Sequence, residues 1–368
     1  VTRTAAPFLI LAVLAAVPAF SPAEDGFRRA LPGYQFEFPR DHGSHPDFRT
    51  EWWYFTGNVA TAEGRRFGYK LTFFRTALAP PDTTGTRSPL AADQLFIAHF
   101  ALSDFESRSH RTWDRIGRPG LGQGEASTER LDVRLNDWTL VMDDDGAMHL
   151  RAQADGGGID MVMRPAKPFV IHGRDGAHQK AAAEGQASHY ISFTRLNAEG
   201  TITWAGERHA VSGLAWKDHE FGSDQLGEEE VGWDWFALQL DTGEDLMVYQ
   251  LRRRDGTANN YSSGSLVAPD GTRRELPGSS YRIRHTSTWK SPRSGGVYPM
   301  GWEIDLPEFD AKLRVIPVFE DQEMDTRRTT GTVYWEGAIT VEGTWRGRPV
   351  GGRGYVELVG YADEFNLL

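Results

Sequence analysis

Short runs in which aromatic and β-branched residues alternate with polar ones dominate the chain. They fall at residues 36–38 (FEF), 51–59 (EWWYFTGNV), 67–74 (FGYKLTFF) and 94–102 (QLFIAHFAL), and again at 233–240, 246–252, 313–319, 333–343 and 355–361. A period of two predicts strands with one face turned to a core. AEG, DTG, DDDG, RRDG, APDG and NAEG separate the runs and read as turns. Helical periodicity is almost absent, and only residues 175–187 read as one short helix.

The pattern recurs along the chain. Phe55 and Tyr69 lie 14 apart across an AEG turn, Phe236 and Tyr249 lie 13 apart across a DTG turn, and each pair follows a Trp doublet (Trp52, Trp53; Trp233, Trp235). Trp204, Gly206 and Gly213 align without gaps on Trp345, Gly347 and Gly354. Two duplicated signatures in the same order argue for tandem all-β units. The predicted units are 34–224 and 230–362, with the boundary in the acidic stretch 222–232. Each must hide its strand edges and bury one apolar face, so the expectation is two tandem antiparallel β-barrels.

Composition narrows the function. The 368 residues are 39% hydrophobic and 25% charged, which is globular rather than disordered. A net charge of −11 with no long basic run argues against a nucleic-acid partner. There is no cysteine, so disulfides, thiolate metal sites, iron–sulfur clusters, a cysteine nucleophile and a lipid anchor on an N-terminal cysteine are all excluded. Residues 1–23 read as a signal peptide: Arg3, an apolar stretch over 7–17, and the small-x-small site Ser21-Pro22-Ala23. That stretch is well short of the roughly 20 residues that span a bilayer. No later apolar run is long enough either, so the mature chain is expected to be periplasmic or secreted, with no transmembrane segment.

No G-x-S-x-G elbow, HExxH pair, P-loop or dinucleotide fingerprint is present. His42 and His45 have H-x-x-H spacing beside Asp41 and Asp47, but the Pro- and Gly-containing segment reads as a hydrogen-bonding loop, and neither metal nor cofactor is assigned. The Trp-rich strands offer either core packing or an aromatic pocket for a long apolar molecule or for sugar rings; Trp52, Trp53, Tyr54, Trp216, Trp233, Trp235 and Tyr249 are the candidate ligand-binding residues. His99 is a further candidate, with a satisfied core histidine as its alternative. In WKDHEFGS (216–223), alternation puts Asp218 and Glu220 on one face and His219 on the other. Two carboxyls against an apolar wall raise each other's pKa, so one can stay protonated as an acid. Asp218, Glu220 and His219 are the candidate catalytic residues; the alternative is a solvated turn.

The phrases HPDFRTEWWYFTGNV (45–59), AHFALSD (98–104), WKDHEFGS, GWDWFALQLDTGEDLMVYQLR (232–252), YWEGAITVEG and GYVELVGY resemble the carotenoid 1,2-hydratase and AttH-type family, often labelled predicted secreted hydrolases. The resemblance spans about residues 34–361. It implies two lipocalin-like barrels, an apolar isoprenoid, carotenoid or lipid ligand and, in some members, genes beside ABC transporters. Its hydratases add water to an alkene, which needs a proton donor, a stabilised tertiary cation and a water molecule. Three expectations follow: a hydro-lyase, a noncatalytic carrier serving an exporter, or a glycan-binding or hydrolytic protein.

Overall fold

The computed structural model describes residues 26–81, 93–119, 122–224, 227 and 229–363. The expected signal peptide lies outside these residues. Among them, no helix is long and apolar enough to cross a membrane. The helices among the described residues are three 3₁₀ turns of three residues each.

The first sheet comprises β1 (Thr50–Ala60), β2 (Arg66–Ala77), β3 (Gln94–Asp104), β4 (Ser109–Gly117), β5 (Gly124–Ala126), β6 (Asp132–Leu135), β7 (Trp138–Met142), β8 (Met148–Ala154), β9 (Gly157–Pro165), β10 (Val170–Ile171), β11 (His178–Gln179), β12 (Ala187–Trp204) and β13 (Glu207–Gly222). The second comprises β14 (Glu230–Leu240), β15 (Asp245–Arg253), β16 (Ser263–Val267), β17 (Arg273–Pro277), β18 (Arg282–Lys290), β19 (Val297–Leu306), β20 (Ala311–Pro317), β21 (Glu323–Asp325), β22 (Val333–Trp345) and β23 (Arg348–Leu358). All ladders are antiparallel. The first sheet runs β4-β3-β2-β1-β13-β12-β9-β8-β7-β6-β5 and curls into a nearly closed barrel. The second runs β17-β16-β15-β14-β23-β22-β20-β19-β18 and forms a half-barrel. In both, the first strand pairs with the last.

The aligned Trp and Gly residues have a structural meaning. Trp204 and Trp345 end β12 and β22, and each is followed by a tight turn with positive φ at both central residues, 52° and 87° at Ala205-Gly206 and 52° and 70° at Arg346-Gly347. This is the twist that suits a two-residue hairpin. Gly213 and Gly354 lie where the last strand crosses the first: a Cβ would stand 2.2 Å from the Asn58 carbonyl oxygen and 1.9 Å from that of Ala237. The other aligned pair differs by its spacing. Phe55 and Tyr69 both face the barrel core, whereas Phe236 faces the core and Tyr249 the opposite side.

Three local expectations are corrected. Residues 36–38 form no strand: Phe36 packs on His189 at 5.8 Å and Phe38 on Phe169 at 4.3 Å, so the segment caps the barrel with rings instead of pairing. Residues 175–187 form no helix, because Asp175, Gly176 and Gly185 have φ of 49°, 80° and 83°, and β11 and the start of β12 are built here. NAEG (197–200) is not a turn but the middle of the 18-residue β12, where Gly200 lets β9 pass close by.

Both interiors are filled with side chains. Trp53, Phe55, Phe73, Phe100, Trp138 and their neighbours pack the first; Phe236, Trp302, Trp335 and their neighbours pack the second. The outer faces of the two sheets then pack on each other. They touch where residues are small or can bond across: Asn58 Nδ2 donates to the Gly354 carbonyl at 3.1 Å, and Gln239 Nε2 donates to the Thr194 and Ala215 carbonyls at 2.8 and 3.0 Å. Asp245 on β15 accepts from Lys167 at 2.7 Å, Thr194 at 2.8 Å and Arg195 at 2.7 Å, all from the first half. Further along the strands, large rings hold the faces apart around a cavity.

Candidate active site

Antiparallel register sets the cavity walls. On the first sheet, one row runs Ser192, Asp218, Tyr54, Thr72, His99, and the next runs Tyr190, Glu220, Trp52, Phe74, Ile97. On the second, Tyr249, Trp235, Glu357 and Glu336 form one row, with Leu251 and Trp233 beside it. These rows enclose a cavity of about 200 Å³ between the sheets, outside both barrels. Aromatic and aliphatic surface dominates its lining, interrupted by ten polar or charged residues.

Eight of the eleven candidates line it: Trp52, Tyr54, His99, Asp218, Glu220, Trp233, Trp235 and Tyr249. Three do not. Trp53 and His219 follow the alternation of their strands into the first barrel, where the two rings stack at 5.1 Å. Trp216 shares the face of Asp218 but lies behind the wall, edge-on to Trp235, and donates its indole N–H to Asp218 at 2.7 Å. His178, Lys180, Tyr190, Tyr334 and Glu357 also line the cavity. Nothing in the local sequence pattern around them marks them as cavity residues.

Asp218 is buried and accepts from the Ser192 hydroxyl, the Tyr190 hydroxyl at 2.6 Å and the Trp216 indole. Burial outweighs these three donors and pushes its pKa up to about 7. Glu220 is paired with Lys180 and accepts from the Ser188 hydroxyl. Glu357 accepts the Trp233 indole N–H at 2.9 Å, and burial together with neighbouring Glu336 pushes its pKa up to about 8. Behind it, Lys70 bonds the Tyr334 hydroxyl at 2.6 Å and Glu336 at 3.2 Å, bridging the sheets. His99 continues this chain, with Nδ1 at 2.9 Å from Tyr334 and Nε2 at 3.2 Å from Thr329. Burial, and then Lys70, hold His99 well below the usual imidazole range.

The HGSH histidines belong to the opposite side of the β1–β13 pair. His45 Nδ1 and His219 Nε2 meet Glu51 Oε1 at 2.8 and 2.9 Å. These three residues are close enough to share a metal. Glu51 Oε2, however, already accepts from Arg75 Nε at 2.9 Å and from the Ser44 hydroxyl at 2.9 Å. A fixed guanidinium on the same carboxylate opposes a cation, so the trio is a hydrogen-bonded anchor under the strands that carry Trp52 and Asp218.

Such an arrangement suits proton transfer to an apolar molecule: a carboxyl that changes protonation near neutrality, π faces for developing positive charge, and neutral polar groups beside them. The AttH-like family model matches residues 29–361. A solved structure of an AttH-type protein from Nitrosomonas europaea is 36% identical with a TM-score of 0.81, covering 91% of this chain and all of that one. Among curated proteins, kievitone hydratase of Fusarium solani subsp. phaseoli is 21% identical, covering 65% of this chain and 68% of its own. Dehydratase AsqC of Emericella nidulans is 25% identical, covering 70% and 75%.

Proposed function

The chain belongs to the AttH-like family, and on that footing we propose that it is an acid-catalysed hydro-lyase acting on the alkene end of an apolar isoprenoid or lipid-like molecule. One observation carries the reading: Asp218, a buried carboxyl with a pKa of about 7, stands on the wall of an aromatic cavity. Protonating an isolated alkene needs a neutral acid, and at neutral pH Asp218 has the proton to give and the capacity to take it back. The tertiary cation that follows is stabilised by the faces of Trp52, Trp233 and Trp235. Water then completes hydration; the reverse sequence is dehydration. Glu220 is tied to Lys180, so its role is to place that ammonium group, not to donate a proton. A curated hydratase and a curated dehydratase among the relatives support the reaction class.

The cavity is smaller than the roughly 300–1,000 Å³ typical of sites that bury a whole drug-sized ligand. A carotenoid or other long polyene would therefore enter by one end. The apolar stretch at residues 7–17 supports action outside the cytoplasm.

The test is incubation with geraniol, farnesol and lycopene, with mass spectrometry for the gain of one water. The parent should hydrate at least one of them. Asp218→Asn should lose about 100-fold or more in kcat, with binding followed by Trp fluorescence within a few-fold. Full activity in Asp218→Asn excludes this acid. Binding by the parent without turnover of any of the three favours a carrier.

A further inference from the structure

In a pocket walled mainly by apolar surface, the few polar groups decide which molecules are held. Resting on the reading of this cavity as the reactive site, we propose that the molecule it takes is a neutral oxygenated isoprenoid or lipid, an alcohol or a ketone, whose oxygen accepts a hydrogen bond from the free carboxyl oxygen of Glu357.

Alternation along β23 turns Glu357 to the site. Val356 and Leu358 pack into the second half-barrel, whereas Tyr355 packs between the sheets and Glu357 and Val359 line the cavity. The two oxygens of Glu357 differ. Oε2 accepts the Trp233 indole N–H at 2.9 Å. An indole nitrogen only donates, so in the neutral acid Oε2 serves as the carbonyl oxygen and the proton sits on Oε1. Oε1 has no hydrogen-bond partner among the described residues and, unlike both oxygens of Glu336 beside it, is not sealed inside the protein. Glu357 is half-buried, and the space it faces is the cavity.

The charges around the cavity select against ions. Lys180 is paired with Glu220 and, behind the wall, Lys70 with Glu336 at 3.2 Å. Burial above all holds His99 and His178 well below the usual imidazole range, so both rings are neutral. The two remaining carboxyls, Asp218 and Glu357, have pKa values pushed up to about 7 and about 8. For Glu357 the main cause is burial, then Glu336 on β22; Lys70 on β2 and the Trp233 indole oppose the rise, and Glu220 on β13 adds to it. Tyr54 on β1 and Tyr334 on β22 face the same carboxyl, and burial keeps both phenols protonated. Among the described lining residues, an anionic head such as a diphosphate or carboxylate therefore meets no unpaired cation. The oxygen of a neutral molecule meets a donor. A hydrocarbon leaves that O–H without a partner, at a cost of about 10-fold in affinity.

The test follows Trp fluorescence of the full chain with geranylacetone, a ketone that can only accept, with farnesene, a hydrocarbon, and with farnesoate, a carboxylate. Parent affinity for geranylacetone should fall about 10-fold from pH 6.5 to pH 9, as Glu357 ionises, while affinity for farnesene stays constant. Glu357→Gln, whose amide can accept from Trp233 and donate to the ketone, should bind geranylacetone within a few-fold of the parent at pH 6.5 and show no such fall. No binding of the ketone, a pH-independent affinity in the parent, an equal fall in the variant, or tighter binding of farnesoate than of geranylacetone at pH 6.5 overturns the proposal. In turnover, geraniol and farnesol should be hydrated in preference to lycopene. Hydration of lycopene alone overturns the proposal and leaves the hydro-lyase reading intact; the expected ketone binding with no turnover of any of the three overturns that reading and leaves the proposed ligand class standing.

Discussion

Asp218 shows how one position can be costly to the fold and useful to the chemistry. Its carboxyl is ordinarily ionised above a pKa of 3.8, but in the folded chain it holds its proton up to about 7. An acid whose folded pKa is raised favours the native state at low pH; as pH rises from about 4 to about 7 the unfolded chain ionises first and native stability falls, then levels off. Thermal unfolding of the parent against Asp218→Asn should therefore show the parent losing ground over that interval and holding a constant deficit above it; a flat difference from pH 4 to 8 would contradict the assignment. Hydration activity should fall over the upper part of the same range, as the donor loses its proton. Alternation alone sorts Asp218 and Glu220 from His219, and Trp52 from Trp53, so that much was legible in the sequence. Glu357 was not. In YVELVGY it has the look of a solvated strand position, because nothing local indicates that a second sheet covers that face. His178 and Lys180 were hidden differently, in a segment whose weak pattern resembled a helix until its positive-φ residues are seen to break it.

At the scale of elements, the paired hairpins explain why the Trp and Gly alignment is informative and the Phe and Tyr alignment is not. Gly354 is fixed by a close backbone crossing that no side chain can relieve, since the obstructing atom is the Ala237 carbonyl. Gly354→Ala should cost about 1–3 kcal/mol or more, as overpacking does, measurable by urea unfolding. The aromatic pairs differ by one residue in spacing, and one residue changes the face in a strand. That slip brings Tyr249 to the cavity instead of a barrel core. The β2–β22 contact depends on charge. Removing Lys70 leaves Glu336 buried without its cation, and breaking such a pair typically costs about 3–5 kcal/mol. Burial already raises the pKa of Glu336, so proton uptake relieves the lone charge. Lys70→Met should accordingly be destabilised more at pH 8 than at pH 5 in denaturant titrations.

At the scale of the molecule, the two sheets were legible from strand runs and turns, but the site between them was not. A barrel suggests a ligand inside it; here both interiors are filled and the cavity is made by outer faces that neither sheet could bury alone. Folding and site formation are thus one event. Asp245, which gathers Lys167, Thr194 and Arg195 from the other half, should act on both: Asp245→Ala should lower the melting temperature and weaken farnesol binding together. The central claim is that an acid on this wall adds water to a bound alkene. It is tested most directly by incubating the parent and Asp218→Asn with each of geraniol, farnesol and lycopene in oxygen-18 water at equal cavity occupancy, and following label in the products by mass spectrometry. The account predicts one labelled oxygen at the tertiary carbon with the parent and about 100-fold less with the variant; equal labelling by both, or no labelling by a parent whose cavity is filled, would contradict it.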